Sequence, residues 1–150
     1  MSSAETVVLL FDDQIIVAEA LRRMLAQEPT FRFIHFQAAD GAIDAVVRSG
    51  ATVVLQDLVM PNTNGFDLLA LLKSHPQTRD VPVMVLSGKE SPDDRIRAFK
   101  AGADDFVIKI PDAAELLQRV RALAKMRRLE LELAEAKGTI LRLSAKRPAP

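Results

Sequence analysis

Five apolar runs of strand length constrain the fold of this chain most strongly, because a stretch with helical spacing separates each run from the next. The runs are rich in Val, Ile or Phe and cover Thr6 to Phe11, Phe31 to Phe36, Thr52 to Gln56, Val81 to Ser87 and Asp105 to Ile108. Strands that are apolar on both faces are typical of parallel sheets covered by helices on both sides. The alternation therefore predicts an α/β fold of five parallel strands and five helices.

The segments between the runs carry apolar residues on one helical face. In the first of them, Val17, Leu21 and Met24 recur with helical spacing between Gln14 and Gln27. Similar patterns lie at 42–47, 66–72, 96–99 and 116–123. These segments predict the five helices that connect and cover the strands.

Capping residues support the last two helices. Ser91 followed by Pro92 predicts an N-cap with proline at the first helical position, and Gly102 predicts the end of that helix. Asp112, with Glu115 three residues later, predicts a capping box at the start of the fifth helix.

The chain changes character after about Ala124. Apolar residues then recur at alternating steps of three and four, at Met126, Leu129, Leu133, Ala136, Ile140 and Leu143. This short heptad pattern predicts one long last helix that projects from the domain. We therefore expect a domain over residues 1–124, a helical or coiled-coil linker over 125–145, and a disordered tail over 146–150, where prolines prevent the helix from continuing.

Composition narrows the class of protein. A chain of 150 residues that is 49% hydrophobic suffices for one domain with a substantial core. The formal net charge of zero gives no broad attraction to nucleic acid or to anionic membranes. Without cysteine there is no thiolate chemistry, no zinc–thiolate site and no disulfide. With neither a signal segment nor a membrane span in the sequence, we expect a cytoplasmic protein.

Polar residues stand at the carboxyl ends of four of the five runs. Asp12 and Asp13 follow the first run, Asp57 the third and Lys109 the fifth, while Ser87 ends the fourth. Because the carboxyl ends of parallel strands share one edge of a sheet, we expect these five side chains to meet in one crevice. Taken singly, each also suits a structural role as a cap, a turn hydroxyl or a solvated charge. Together they indicate a site that holds a divalent cation and accepts a phosphoryl group.

Three acids in one crevice favour a bound cation. Like charges ~4 Å apart repel by roughly 4 kcal/mol at an effective dielectric constant of 20. Oxygen ligands suit Mg²⁺, which takes one or two carboxylates directly and keeps several waters. Without the metal, we expect one carboxyl to have a raised pKa and the acids to titrate as a coupled set.

These residues and their neighbours resemble the receiver domain of two-component response regulators. The resemblance covers about residues 6–122 and rests on Asp12-Asp13, Asp57-Leu58-Val59-Met60-Pro61 with Gly65, Val83-Met84-Val85-Leu86-Ser87, Ala101-Gly102-Ala103-Asp104-Asp105-Phe106 and Lys109. It implies a flavodoxin-like fold with a doubly wound five-stranded parallel sheet, (βα)5. It also implies that Asp57 takes a phosphoryl group from a sensor histidine kinase, while Lys109 and Ser87 contact the oxygens of that group.

The same resemblance implies the metal ligands. Asp13, Asp57 and the backbone carbonyl of Val59 are expected to hold Mg²⁺, and Asp12 is expected to act through a bound water.

A switch is the other implied feature, formed by Ser87 and Phe106. Because Phe106 has no hydroxyl, its response to phosphorylation must be a packing change. We expect this change to remodel the face formed by the fourth helix, the fifth strand and the fifth helix, near Arg95, Arg97 and Lys100. A homodimer through this face, through the C-terminal helix or through both would then pass on the signal.

A narrower resemblance connects the chain to the receivers of WspR-type diguanylate cyclase regulators. It rests on Leu55 to Pro61, on Val85-Leu86-Ser87 before Lys89-Glu90, and on Lys109-Ile110-Pro111-Asp112. Those proteins carry a GGDEF output domain after a helical linker, and no such motif occurs in this sequence. The chain is therefore either the receiver and linker of such a protein or a regulator without enzymatic output. In both cases we expect no enzyme beyond phosphorylation and dephosphorylation of Asp57 itself.

Three rival functions fit a similar fold. A flavodoxin-like electron carrier or nucleotide binder needs a glycine-rich or hydroxyl-rich phosphate loop after the first strand, where this chain has two acids. A phosphatase of the haloacid dehalogenase type has its two acids separated by one residue, whereas Asp12 and Asp13 are adjacent. A degenerate receiver that acts only as a protein-interaction module needs none of the site residues. His35 and His75 are interpreted as structural or solvent-exposed residues.

Overall fold

The computed structural model describes residues 5–146, which form a parallel sheet between two layers of helices. The sheet strands are β1 (Thr6–Phe11), β2 (Phe31–Phe36), β3 (Val53–Asp57), β6 (Val83–Ser87) and β7 (Asp105–Ile108). A short ribbon consists of β4 (Val59–Met60) and β5 (Thr63–Asn64). The helices are α1 (Ile15–Leu25), α2 (Ala42–Ser49), α3 (Gly65–Ser74), α4 (Pro92–Lys100) and α5 (Ala113–Ala145). Residues 1–4 of the predicted domain and 147–150 of the predicted tail lie outside the described residues.

The sheet confirms the predicted fold class. Its strand order is β2-β1-β3-β6-β7, and every neighbouring pair is parallel. This is the flavodoxin-like order, in which the winding reverses between β1 and β3. The crevice of such a sheet opens at the carboxyl ends of the strands on either side of the reversal, so that β1 and β3 supply its centre.

Alternating residues of the central strands pack into two separate apolar layers, one on each face of the sheet. In β1, Val8 and Leu10 pack with α1 and α5, whereas Leu9 and Phe11 pack with α2, α3 and α4. The strands β1, β3 and β6 are buried along their whole length, because a helical layer covers each face. The edge strand β2 is only partly buried.

The structure confirms the predicted caps of α4, but the prediction of a capping box at the start of α5 is wrong. The backbone N–H of Asp94 donates to Ser91 Oγ at 3.2 Å, and Gly102 takes a φ of 108° just after the helix. Asp112 does occupy the N-cap position of α5, yet its side chain accepts no capping hydrogen bond within residues 5–146. Glu115 pairs with Arg119 at 3.1 Å instead. Arg119 is itself held by Asp105 at 2.7 Å, which explains why Glu115 turns away from the helix start.

Two loops at the carboxyl edge have features that the strand and helix patterns did not predict. The segment after β3 forms the β4–β5 ribbon, with Asn62 at the turn in the left-handed region at a φ of 58°. After β7, the peptide bond between Lys109 and Ile110 is cis. The cis bond therefore precedes Ile110, which stands between Lys109 and Pro111.

The last helix is one continuous element of 33 residues. Its buried residues end at Ala124, and Leu129, Leu133, Ile140 and Leu143 are each more than half exposed. The long helix is as predicted, while its role as a linker stays a prediction. Within residues 5–146, no helix combines the length and the apolar character needed to cross a bilayer.

Candidate functional site

The sheet brings all five predicted side chains to one cleft at its carboxyl edge. This cleft has a volume of about 620 Å³, and Asp13, Asp57, Ser87 and Lys109 line it. Asp12 lies completely buried behind the cleft and is joined to it through Lys109. The convergence follows from the strand order, because β3 lies between β1 and β6 and therefore sets Asp57 between the other groups.

Three carboxylates form a compact group of oxygen ligands. Asp12, Asp13 and Asp57 each offer one oxygen, and these oxygens all lie within 4.8 Å of one another. Asp12 and Asp57 are buried, whereas Asp13 is partly exposed to the cleft. An all-oxygen set with one solvent-facing side fits a hard cation that keeps part of its water shell, as Mg²⁺ does.

Lys109 supplies the positive charge in this group. Its Nζ lies 3.0 Å from Asp57 Oδ2 and 3.1 Å from Asp12 Oδ2, and it donates to Gln14 Oε1 at 2.8 Å. The lysine side chain is only 8% exposed. One ammonium thus pairs with two of the three carboxylates, which leaves the group with an excess of negative charge that a divalent cation would offset.

Asp57 is the carboxyl whose pKa is raised. Burial raises its pKa above the ordinary 3.8, while hydrogen bonds from Lys109 and from the Val59 N–H act in the opposite direction. The charge of Asp12 also raises the pKa, but less than burial does. A raised pKa in the acid group is therefore as predicted, whereas its main cause is burial and not the predicted repulsion between acids.

The raised pKa leads us to expect that Asp57→Asn stabilises the metal-free protein at neutral pH. Since the folded pKa lies above the unfolded one, the free energy of unfolding falls as pH rises from about 4 through the folded pKa. An amide cannot ionise, so the gain over wild type should be small near pH 4 and should grow as pH rises through the folded pKa of Asp57. Thermal unfolding in a chelator checks this, with the exposed Asp80→Asn as a control. A variant that is less stable than wild type at pH 7 would contradict the expectation.

The two predicted switch residues lie on neighbouring strands, and neither contacts Asp57 through a hydrogen bond within the described chain. Ser87 Oγ donates to the carbonyl of Lys89 at 2.7 Å, inside its own loop. Phe106 is 1% exposed and packs in the apolar layer beneath α2, α3 and α4. The guanidinium of Arg95 lies 4.8 Å from the centre of its ring. Arg95 therefore joins α4 to the strand that carries Phe106.

Gln14 and Gln56 have contacts in the site that the sequence interpretation missed. Gln56 is completely buried, and its Nε2 donates to the carbonyl of Gly65 at 2.8 Å. The N–H of Gly65 in turn donates to the carbonyl of Leu58 at 3.0 Å, which closes the loop that carries Val59. A polar residue inside the buried run before Asp57 was the available signal for Gln56. No local pattern revealed that Gln14 would bind Lys109.

Comparison with known proteins agrees with this geometry. The response regulator receiver domain family matches residues 8–121. Response regulator PleD of Caulobacter vibrioides is 33% identical over 136 residues, which cover 87% of this chain and 29% of PleD. The phosphate regulon transcriptional regulatory protein PhoB of Klebsiella pneumoniae is 30% identical over 122 residues, which cover 81% of this chain and 52% of PhoB. The chain thus spans about half or less of the length of these curated relatives.

Solved structures extend the likeness to the backbone. The receiver domain of the Francisella response regulator 1452 has a TM-score of 0.72 at 26% identity, with 81% of this chain and 98% of that chain covered. Chemotaxis protein CheY4 of Vibrio cholerae, at 21% identity, shares the fold with a TM-score of 0.72 over 80% of this chain and 99% of its own. The family match runs from β1 into α5 and includes every residue that lines the cleft, together with the buried Asp12. This chain therefore belongs to the receiver domains of two-component response regulators.

Proposed function

We propose that Asp57 accepts a phosphoryl group from a sensor histidine kinase and that the modified domain changes conformation to control an output. The observation that carries this proposal is the pairing of buried Asp57 with Lys109 at 3.0 Å beside two further acids. A purely structural ion pair would gain nothing from Asp12 and Asp13, because additional buried carboxylates add repulsion and desolvation cost.

Asp57 is the proposed nucleophile. One of its carboxylate oxygens forms the new P–O bond while the P–N bond to the kinase histidine breaks, and the bonding electrons return to the imidazole, which takes up a proton. Such a transfer depends on in-line positioning and charge stabilisation more than on covalent help from the protein. Lys109 is placed to pair with an oxygen of the transferred phosphoryl group and to stabilise its negative charge. The Val59 N–H, which donates to Asp57 Oδ1 at 3.2 Å, orients the carboxylate.

Mg²⁺ is the proposed cofactor. Asp13, Asp57 and Val59 line the cleft, and we assign the two carboxylates and the Val59 carbonyl as its ligands. Asp12 is completely buried and bonded to Lys109, which supports an indirect role through a water. Bound there, Mg²⁺ would neutralise the charge that develops on the transferred group.

Ser87 and Phe106 are the proposed switch pair. To reach a phosphoryl oxygen, the Ser87 hydroxyl must give up its hydrogen bond to the Lys89 carbonyl. Phe106 then follows by repacking, and Arg95 on its ring carries the displacement to α4.

The proposed output surface is the face formed by α4, β7 and α5, or the extended part of α5. Ile96 and Phe99 of α4 are 54% and 45% exposed, close in sequence to Arg97 and Lys100. We propose a homodimer through this face, through the C-terminal helix or through both, in a cytoplasmic protein whose receiver covers residues 1–124 and whose linker covers 125–145. The resemblance to WspR-type regulators supports a GGDEF output domain in a longer protein, and the similarity to PleD at 33% identity is compatible with it.

Intact-mass measurement tests the proposed chemistry. Acetyl phosphate with Mg²⁺ should add the mass of one phosphoryl group to the wild-type chain. Both a chelator and Asp57→Asn should abolish the gain, whereas Asp80→Asn should behave as wild type. A folded wild-type protein whose mass does not change would disprove the proposal and favour a protein-interaction module without phosphoryl chemistry.

A further inference from the structure

We infer that the extended part of α5 pairs with a second copy of this chain as a parallel, in-register, two-stranded coiled coil. Its flanking charges would form ion pairs between Lys125 and Glu130 of the second copy, and between Glu132 and Lys137 of the second copy. This inference rests on the homodimer in the proposed function and adds its orientation and register. It does not depend on phosphorylation of Asp57.

The apolar seam lies on the side of α5 that faces away from its own receiver. Towards the receiver, α5 buries Leu116, Leu117, Val120 and Ala124. At 100° per residue, the stripe through Val120 and Ala124 continues to Arg127 and Leu131, which line a groove beside α2. On the opposite side lie Leu129, Leu133, Ala136, Ile140 and Leu143, all exposed. A second helix can therefore cover this seam without displacing the receiver.

Residue types in the seam suit two strands. Leu133 and Ile140 occupy position a of the heptad, and Leu129, Ala136 and Leu143 occupy position d. Leucine at d is typical of parallel dimers, and an isoleucine at a favours the same state. The segment from 126 to 146 spans about 32 Å as a helix, enough for three heptads.

Flanking charges decide between the two orientations. In a parallel dimer, position g of one helix faces position e of the next heptad in its partner. Lys125 then faces Glu130, and Glu132 faces Lys137. Each of these contacts occurs twice by symmetry. In the parallel dimer, every contact between charged residues at positions g and e is therefore attractive.

An antiparallel dimer has less favourable charge contacts than a parallel one. If the heptad positions from Met126 to Leu143 overlap fully in opposite directions, Glu130 faces Lys137, but Lys125 faces Lys146 of the second copy. Two attractive contacts are then offset by two repulsive ones. The charge pattern therefore favours the parallel arrangement.

The absence of cysteine from the sequence allows a clean test in the full chain. Leu143→Cys introduces one thiol at the far end of the seam, and a parallel dimer places both copies side by side. Full antiparallel overlap would separate them by about 25 Å, since each residue rises 1.5 Å. Leu141→Cys is the matched control, because Leu141 is 70% exposed but lies at position b, off the seam. We expect rapid disulfide-linked dimers with Leu143→Cys and slow ones with Leu141→Cys, with or without a phosphoryl-mimicking fluoride.

A charge reversal tests the register independently of crosslinking. Glu132→Lys and Lys137→Glu should each weaken the dimer roughly tenfold in sedimentation equilibrium, because each turns attraction into repulsion twice. The double variant should recover wild-type affinity, and Glu135→Lys at position c should change little. Equal crosslinking of both cysteine variants, or failure of the double variant to recover, would overturn the inference. Phosphoryl uptake measured on the same samples shows whether Asp57 chemistry survives that failure.

Discussion

Gly65→Ala should lower the free energy of unfolding by roughly 3 kcal/mol or more, a large effect for one added methyl group. A Cβ at this position would lie 2.4 Å from both the Cα and the carbonyl oxygen of Leu58. These are backbone atoms that follow Asp57 directly, so they cannot yield without moving the end of β3. The hydrogen bond from the Gly65 N–H to the Leu58 carbonyl fixes the same close approach.

Urea unfolding measures this effect, with Gly88→Ala as the control. Gly88 also borders the cleft, but nothing lies within 4 Å of a Cβ added there. We expect the midpoint of Gly88→Ala to stay close to wild type and that of Gly65→Ala to fall well below it. Equal midpoints for the two variants would show that the loop after β3 does not hold Asp57 in the manner described.

Lys109→Met should change stability and Mg²⁺ affinity in opposite directions. It removes the ammonium that lies 3.0 Å from Asp57 and 3.1 Å from Asp12, and breaking a buried pair in this way costs about 3–5 kcal/mol. With one positive charge fewer beside three carboxylates, Mg²⁺ should bind roughly tenfold more tightly. Phosphoryl uptake should nevertheless slow by about a hundredfold, because a positioned charge on the transferred group is lost.

Thermal unfolding and Mg²⁺ titration of the same samples check this pair of effects. The loss of stability should shrink as pH falls towards 4, where Asp57 takes up a proton, and it should also shrink in saturating Mg²⁺. Lys89→Met serves as the control, since Lys89 is exposed at the rim of the same cleft. Weaker Mg²⁺ binding in Lys109→Met would mean that the lysine organises the acids instead of competing with a cation.

The sheet and the five cleft residues could be predicted because their signals are local. Buried strands read as continuous apolar runs, and a parallel sheet places all their carboxyl ends on one edge. The positions of Asp57 and Lys109 directly after such runs were therefore enough to predict that both lie at this edge. In the folded sheet β6 lies between β3 and β7, and the long side chain of Lys109 spans that distance to reach Asp57.

Features that depend on distant partners could not be predicted. Lys109 and Asp12 are 97 residues apart in sequence, and the adjacent Gln14 contact has no pattern of its own. Glu115 leaves its predicted capping box for Arg119, which Asp105 of β7 holds in place. The ribbon of β4 and β5 has two residues in each strand, too few for any periodicity to appear.

Reduction of the phosphorylated protein with borohydride tests the central claim most directly. Hydride converts an aspartyl phosphate to homoserine, so that peptide mapping reveals which carboxylate carried the phosphoryl group. We predict homoserine at residue 57 alone, only after incubation with a phosphodonor and Mg²⁺. Homoserine at Asp12 or Asp13 instead, or a phosphorylated product that resists borohydride, would contradict the assignment of Asp57 as the acceptor.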